Sequence, residues 1–450
     1  MKFLSARWQT WKSDRLMGRV IRNTSYLFSS NMAAMALGVV QSIFAARLLG
    51  VAGFGLLGTV TVFASTINRL FSFRMGELVV KYLGADLAEG RRDRGGALVK
   101  VAALVEASSS LLAFMVMLVL APLAAVYLAK DAATTHFFWI YGISILSNSL
   151  AEVASGVLQV DNRFRGQALV NLAQSVLTAL IIVGAFLSNA GMMAVLIAYL
   201  VGKLILGIGP VVLALGSLRR LLGPAWWKAP FSLLPPWREL THFGLNTNLS
   251  ATVNLLVRDS EILWVALFLS PVYAGYYKVA LAIINLVLMP VTPLISTTFP
   301  EINHAVALRK WQQLRHLLRR VTILSGSWTL LITTGLVFFG NYLILFYGRE
   351  YLPAFPALLV LLVGYGIANI FFWNRTLLLS LGLPDVPFRV TLWVGIAKVA
   401  LGFVLVPRFG YVAEAALLSA YFIVSVGLIL RRGALSLHQA ERALVMEGAA

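Results

Sequence analysis

The segment SYLFSSNMAAMALGVVQSIFAARLLGVAGFGLLGTVTVFAS, residues Ser25–Ser65, contains an apolar block, a glycine-rich turn and the start of a second apolar block. The first block runs from Tyr26 to about Ala46, and about 20 apolar residues allow a helix to cross roughly 30 Å of hydrocarbon. The N-terminus before it is basic but lacks a short apolar core with a cleavage site. The segment therefore predicts a retained membrane-spanning helix rather than a signal peptide.

Apolar blocks of this length recur along the whole chain of 450 residues. Hydrophobic residues make up 59% of it and charged residues 12%, with a mean hydropathy of +0.84. This composition excludes a water-soluble enzyme, a disordered chain and a secreted disulfide scaffold. We predict an all-α polytopic membrane protein of about 12 transmembrane helices. The predicted spans are 26–47, 56–80, 98–120, 137–158, 167–188, 191–216, 243–269, 274–297, 320–346, 354–382, 389–406 and 411–430.

The basic residues are unevenly distributed between these spans. If the N-terminus is cytoplasmic, the inside segments hold 25 of the 37 Lys and Arg residues, and the outside loops hold only Lys130, Arg349 and Arg408. Because cytoplasmic loops collect Lys and Arg, this distribution predicts a multi-pass membrane protein with both termini cytoplasmic. It accounts for most of the formal net charge of +19 through topology and the anionic inner leaflet, so no nucleic-acid partner is expected.

The spans form two sets of six. The longest hydrophilic break, 217–240, predicts a cytoplasmic linker between an N-lobe, 26–216, and a C-lobe, 241–430, with a basic N-terminus, 1–25, and a tail, 431–450, outside them. A shift of 220 residues aligns the first turn with WVALFLSPVYAGYY (Trp264–Tyr277) and places Gly55 on Gly275. Six spans per half predict lobes related by a pseudo-twofold axis along the membrane normal.

Ionisable groups inside the spans are the candidates for function, because they are costly in a membrane and usually face a cavity or a partner. The basic candidates are Arg47, Arg69, Arg74, Lys81, Lys203, Arg258, Lys278, Arg375 and Lys398. The acidic candidates are Glu77, Glu106, Glu152, Asp259, Glu261 and Glu414. The excess of three positive charges predicts a cavity that favours an anionic substrate head.

Some of these residues have a simpler interpretation. Arg47 and Lys81 lie near span ends, where long side chains can reach the headgroups. Glu414 lies near the start of the last span and is interpreted as interfacial. Lys203 and Lys398 lie deeper, although either reaches an interface if its span shifts by one turn.

Two clusters stand out from the other charges. In span 2, Arg74, Glu77 and Lys81 follow the i, i+3, i+7 spacing and share one helix face, which fits either a substrate site or a structural salt bridge. In span 7, a polar stripe with Asp259 beside it favours a water-filled cavity over a hydrogen-bonded seam between helices. The stripe consists of Asn246, Ser250, Asn254, Arg258 and Glu261.

Other features exclude or weaken further classes of function. Pro290, Pro293 and Pro300 predict a kink in span 8. No GxxxxGK[ST] loop is present, which excludes ATP-driven transport by this chain alone. The five scattered histidines, the absence of cysteine and the short outside loops predict no catalytic residues, no metal site and no cofactor. A membrane glycan polymerase, the enzyme alternative, would require a longer outside loop.

Several motifs resemble those of polysaccharide flippases of the Wzx type, in the multidrug/oligosaccharidyl-lipid/polysaccharide exporter superfamily. They are Arg22–Asn23 before helix 1, the A-R-L-L-G-x-x-x-F-G turn (Ala46–Gly55), and FRMGELVVKYLG in span 2. The run from Arg258 to Ile302 resembles the seventh and eighth helices of that family, although Ser270–Pro271 replaces a usual glycine. These motifs cover roughly a quarter of the chain, and the remainder matches in its span pattern.

The resemblance implies two six-helix lobes around a central cationic cavity. By it, Arg47 matches the turn arginine, Lys81 the basic residue of span 2, and Asp259 the acid of helix 7. We expect the substrate-binding residues to be Arg47, Arg74, Arg258, Lys81, Lys278, Arg375 and Asn254. We expect the groups for a coupling proton or sodium ion to be Glu261, Asp259 and Glu77.

The leading hypothesis is a flippase that moves a polyprenyl-pyrophosphate-linked oligosaccharide from the cytoplasmic to the outer leaflet for surface polysaccharide assembly, such as O-antigen, lipopolysaccharide or exopolysaccharide, beside a polysaccharide polymerase partner. Arg suits pyrophosphate because its planar guanidinium makes bidentate hydrogen bonds. A cation-coupled drug antiporter of the same superfamily is the alternative, but it predicts a predominantly acidic cavity. A major-facilitator transporter is a third interpretation, based on LGADLAEGRRDRGG between spans 2 and 3.

Overall fold

The computed structural model describes residues 15–234, 252–288 and 291–447, and within them the regular elements are all helices. The first part of the chain forms α1 to α7. These helices are α1 Arg15–Phe71, α2 Met75–Ala88, α3 Arg92–Tyr127, α4 Thr135–Ser147, α5 Ala151–Val160, α6 Phe164–Leu187 and α7 Met192–Leu222.

The second part forms α8 to α15, preceded by a π-helical turn at Leu255–Asp259. The helices are α8 Glu261–Phe268, α9 Pro271–Leu288, α10 Thr292–Ala307, α11 Trp311–Leu345, α12 Ala354–Ile370, α13 Asn374–Ser380, α14 Asp385–Phe409 and α15 Tyr411–Glu447. Asn246, Ser250 and Pro290, which belong to the predicted stripe and kink, lie outside the described residues.

The predicted fold class, an all-α membrane protein, is confirmed. Nine stretches among the described residues are helical, long and apolar enough to cross a membrane. Predicted spans 1 and 2 share one of these stretches, Phe28–Phe71. The described helices of spans 7 and 8 are not among these stretches: α8 has 8 residues, α9 has 18 and α10 has 16.

Helix α1 contains the turn between the first two predicted spans. Gly50 has φ 65° and ψ 179° inside this otherwise continuous helix. That conformation is disfavoured for residues with a Cβ and accessible to glycine. The ARLLG motif therefore ends one span and begins the next by a kink at a single glycine.

The chain folds into two compact units. The first contains the described residues of Met1–Leu48, Phe63–Ala125 and Asp131–Leu249; the second contains those of Leu49–Val62, Val126–Lys130 and Ser250–Ala450. The turn at Gly50 and the segment after it thus pack with the second half of the sequence. The predicted lobes, 26–216 and 241–430, remain predictions.

Several predicted spans are interrupted. Span 2 breaks between Phe71 and Met75, where Arg74 adopts φ 51°, and span 4 breaks between Ser147 and Ala151. Span 10 breaks between Ile370 and Asn374, and a new helix begins at Thr292 in span 8 with Pro293 in its first turn. Interrupted helices leave backbone donors and acceptors that side chains must satisfy inside a membrane. The same two spans of each set are therefore built from two helical pieces.

In each unit, the second pieces of the two interrupted spans share one apolar core. In the first unit, Leu78 and Val79 of α2 pack with Val157 and Leu158 of α5 and with Leu98 of α3. In the second unit, a smaller cluster joins α10, α11, α13 and α15. Its buried members are Ile302, Ala305, Leu314, Leu318, Leu377 and Leu437.

Candidate functional site

Three charged side chains lie buried together in the second unit, with Lys398 between Glu261 and Glu414. The Nζ of Lys398 donates to Glu414 Oε1 at 2.6 Å, to the carbonyl oxygen of Val257 at 3.0 Å and to Glu261 Oε1 at 3.1 Å. An ammonium group has three donors, so these three acceptors satisfy it. The lysine side chain is 4% exposed and the two carboxylates are 1% and 2% exposed. We call Glu261, Tyr277, Lys398 and Glu414 the ion cluster.

Glu261 has a second partner on the opposite side. The hydroxyl of Tyr277 in α9 donates to Glu261 Oε2 in a short hydrogen bond, and Tyr277 is fully buried. Carboxylates buried in a membrane are costly unless paired and hydrogen bonded. The ion cluster joins α8, α9, α14 and α15 and contains one basic and two acidic groups.

The π-helical turn Leu255–Asp259 brings backbone acceptors to this cluster. The carbonyl of Val257 accepts from Lys398, and the carbonyl of Leu256 accepts from Ser260 Oγ at 2.9 Å and from Trp264 Nε1 at 3.1 Å. Side chains thus satisfy carbonyls at the irregular turn. Such π-turns occur frequently at functional sites.

Arg258 projects from the same turn and is 45% exposed. Its guanidinium lies 3.9 Å from Asp259 Oδ1, 5.6 Å from the centre of the Phe422 ring and within hydrogen-bonding reach of the Tyr365 hydroxyl. Arg375, also exposed, lies within electrostatic reach of Arg258 and of Tyr421. Two accessible guanidinium groups on one unit, with tyrosine hydroxyls beside them, can bind an anion with several oxygens.

Tyr421 is near both the arginine pair and the ion cluster. Its side chain is within electrostatic reach of Arg375, Arg258 and Lys398. It is 5% exposed. The accessible cations and the buried ion cluster are therefore neighbours in the second unit.

Two further sequence candidates lie in the second unit. The ammonium of Lys278 stands 4.0 Å from the centre of the Phe54 ring and 3.4 Å from the Phe54 carbonyl oxygen. No carboxylate pairs with it among the described residues. Asn254 caps the start of the π-helical turn and is partly exposed.

The candidates of the first unit are Arg47, Arg74, Glu77 and Lys81. Arg74 pairs with Glu77 at 2.8 Å, and both side chains are about half exposed. Lys81 contacts the ring and hydroxyl of Tyr82, with a distance of 3.4 Å to the hydroxyl oxygen. Arg47 is exposed. The structural salt bridge that the i, i+3 spacing allowed is present, and the binding roles of these residues remain predictions.

Glu106 in α3 caps the interrupted fourth span. Its carboxylate accepts from the backbone N–H of Glu152 at 2.8 Å and of Val153 at 2.9 Å, in the first turn of α5. Glu106 is 7% exposed. Negative charge at a helix N-terminus satisfies free N–H groups and interacts favourably with the helix dipole, so Glu106 has a structural role at this break.

The sequence interpretation of two charged residues needs correction. Glu414 is buried rather than interfacial, and it pairs with Lys398. Lys398 does not reach an interface, and it also pairs with Glu261. The only signal for this cluster in the sequence was the presence of basic and acidic residues in the spans that follow Glu261. Each such charged group requires a partner inside the membrane.

No group of three or more His, Cys, Asp and Glu residues in the described ranges could hold a metal ion. The second unit can bind an oxyanion through Arg258 and Arg375, and it keeps ionised groups buried in the ion cluster.

A family model described as polysaccharide biosynthesis protein matches residues 44–356, about 70% of the chain. The chain belongs to this family. The resemblance to the exporter superfamily, stated from the turn motifs, is thereby confirmed. The matched range contains Arg258, Glu261, Tyr277 and Lys278, but it ends before Arg375, Lys398 and Glu414.

Known proteins with a similar sequence or fold agree with this assignment. The inner membrane protein YghQ of Escherichia coli (strain K12) is 24% identical over 351 residues, which cover 77% of this chain and 97% of YghQ. A multidrug resistance MATE family transporter of the MOP superfamily, in an inward-facing conformation, aligns with a TM-score of 0.75 at 12% identity, over 91% of this chain and 96% of the other.

The lipid II flippase MurJ, in an inward closed conformation, aligns with a TM-score of 0.65 at 16% identity, over 93% of this chain and 91% of MurJ. These structural similarities show the fold, and the sequence family shows the link to polysaccharide biosynthesis. Together with the nine apolar helical stretches of the described ranges, they support a multi-pass membrane protein.

Proposed function

We propose that the protein moves a polyprenyl-pyrophosphate-linked oligosaccharide from the cytoplasmic to the outer leaflet by alternating access. The observation that carries this proposal is the pair of exposed arginines, Arg258 and Arg375, which lie within electrostatic reach of each other in the second unit. Pyrophosphate offers several oxygens to planar guanidinium groups. The family supports a role in polysaccharide assembly.

The head of such a cargo is anionic, its sugars are polar and its tail is apolar. A protein that carries it needs cationic groups that are neither fully buried nor fully neutralised. Arg258 is 45% exposed, and its distance to Asp259, 3.9 Å, is at the limit of an ion pair. Lys278, which pairs with no carboxylate in the described ranges, is a second cationic group of the same unit, and we assign it to the pyrophosphate or to an acidic sugar.

Arg47, Arg74, Lys81 and Asn254 complete the proposed set of cargo contacts. The polysaccharide could be an O-antigen, another lipopolysaccharide component or an exopolysaccharide. A polysaccharide polymerase would then use the flipped repeat unit in the outer leaflet. Both termini are assigned to the cytoplasm of the bacterial inner membrane by the distribution of basic residues.

The test is to delete the gene in its host and measure lipid-linked repeat units in the inner leaflet. We expect accumulation, reversed by the wild-type gene. R258A and R375A should restore transport at least tenfold less well at equal membrane abundance, whereas R432A, at an exposed arginine beyond the last predicted span, should restore it fully. Absence of accumulation in the deletion strain would contradict the proposal.

The arginine-to-lysine variants separate bidentate recognition from plain charge. R258K and R375K keep the charge but lose the planar fork, so we expect intermediate transport. A cation-coupled drug antiporter, the alternative function, predicts instead that the deletion strain becomes drug sensitive without accumulating lipid-linked sugars.

A further inference from the structure

The ion cluster carries one more acidic than basic group. Lys398 uses its three donors on Val257, Glu261 and Glu414, which is the pattern of a charged ammonium. Two ionised carboxylates beside it would leave one uncompensated negative charge at sites 1% and 2% exposed. Such a charge is unfavourable in a membrane, and one added proton removes it.

We propose that Glu261, Lys398 and Glu414 form a site that takes up one proton when the anionic head of the cargo binds at Arg258 and releases it when the head leaves. The step forms one O–H bond on a carboxylate oxygen, with the proton supplied by and returned to water, and changes no other bond. This inference rests on the proposed function for the identity of the anion, but the proton site itself does not.

The groups that face Glu261 come from each neighbouring element. They are Tyr277 of α9, Lys398 of α14 and Glu414 of α15, with Tyr365 of α12 at longer range. On its own element, Arg258 and Asp259 lie in the preceding π-helical turn. Lys398 already occupies the space between the two carboxylates, where a sodium ion would otherwise bind. The cation that can exchange at this site is therefore a proton.

The link to the cargo runs through the turn and Tyr421. The carbonyl of Val257, immediately before Arg258, accepts from Lys398, and Tyr421 lies within reach of both Arg258 and Lys398. An anion at Arg258 adds negative charge beside the ion cluster, which favours protonation of a carboxylate. By linkage, affinity for the anion then rises as pH falls, by up to about tenfold per pH unit for one proton.

The first experiment needs no cargo. Infrared difference spectra of the purified full-length protein in nanodiscs, recorded across a pH titration, should show the C=O stretch of one protonated carboxyl. E261Q or E414Q should remove this band, whereas D259N, at the half-exposed acid of the same turn, should leave it. Y277F removes only the hydrogen bond to Glu261 and should move the midpoint of the titration without removing the band.

The second experiment uses geranyl pyrophosphate as the probe. As pH falls, its affinity should increase more steeply for the wild type than for E261Q or E414Q. The comparison with these variants corrects for protonation of the probe itself. Three outcomes would overturn the inference. They are equal pH slopes in the wild type and both variants, absence of the carboxyl band, and displacement of the proton by sodium at constant ionic strength. A carboxyl band without probe binding would contradict the proposed function alone, and probe binding that depends on Arg258 without a band would contradict the proton site alone.

Discussion

Gly55 and Gly275, which occupy equivalent turns of the two sequence halves, lie against each other in the second unit. A Cβ added to Gly55 would lie 2.7 Å from the amide nitrogen of Gly275 and still closer to the carbonyl oxygen of Pro271, and a Cβ added to Gly275 would collide with the carbonyl oxygen of Val51. The obstructing atoms belong to the backbone, so they cannot move aside as a flexible side chain can. Pro271, in place of the usual glycine, is the first residue of α9 and fits there because that position needs no N–H donor.

We therefore expect G55A and G275A to destabilise the protein by about 1–3 kcal/mol, as overpacking does. The measurement is the thermal unfolding midpoint in detergent, together with membrane abundance. G427A is the matched control, because a Cβ there meets nothing within 4 Å. If G55A and G275A have the same thermal unfolding midpoint as G427A, the close backbone approach is not a feature of the folded protein.

The cap that Glu106 provides for α5 predicts a second stability effect. E106A leaves the N–H groups of Glu152 and Val153 without their carboxylate acceptor in a buried place, which should cost about 1–3 kcal/mol, and E106Q should lose less because one amide oxygen can still accept. Proteolysis and thermal unfolding compare these variants with E301Q, at an exposed glutamate of α10. Equal stability of E106A and the wild type would rule out this capping role.

The ion cluster predicts a non-additive result. K398M leaves two buried carboxylates without their cation and should destabilise by about 3–5 kcal/mol. The triple variant K398M/E261Q/E414Q removes the charges together and should recover a large part of that loss. Chemical unfolding of the single and triple variants measures the coupling; a triple variant no more stable than K398M would mean that the ion pairs do not determine the cost.

Asp86 gives a prediction for pH. It is buried at the end of α2, and desolvation raises its pKa above the ordinary value of 3.8, against the opposing charges of Arg94 and Arg91, which lie 3.5 and 3.3 Å from its carboxylate. Because the folded pKa is the higher one, the folded state binds more protons than the unfolded state between the two values, and stability decreases as pH rises through that window. Relative to D86N, the wild type should therefore lose stability between about pH 4 and the folded pKa. Unfolding of both proteins at several pH values checks this; a constant difference would contradict it.

The helical spans could be predicted from the sequence because each requires only a local run of apolar residues. The breaks in spans 2, 4 and 10 were missed, since they depend on partners such as Glu106 that lie 40 or more residues away. The pairing of Lys398 with Glu414 was not predicted, for a geometric reason. Lys398 lies twelve residues before Gly410 and Glu414 only four after it, so counting residues from the turn places the two side chains at different depths in the membrane. The reach of the lysine side chain closes that gap. Arg258 and Glu261 were candidates of span 7 from the sequence, and the neighbour of each could be learned only from packing.

Helix α11 supplies hydrogen bonds to two other spans at once. Trp328 Nε1 donates to the carbonyl of Val287 near the end of α9, and Ser325 Oγ donates to the carbonyl of Ile370 at the break of span 10. Thr322 and Thr329, on the same helix, accept from Trp373 and Asn369 on either side of that break. A rotation of α11 about its own axis would therefore break all of these bonds in one step, in a solvent with no water to replace them. The energetic barrier to that rotation is shared by three spans, so during a transport cycle they should turn together or not at all.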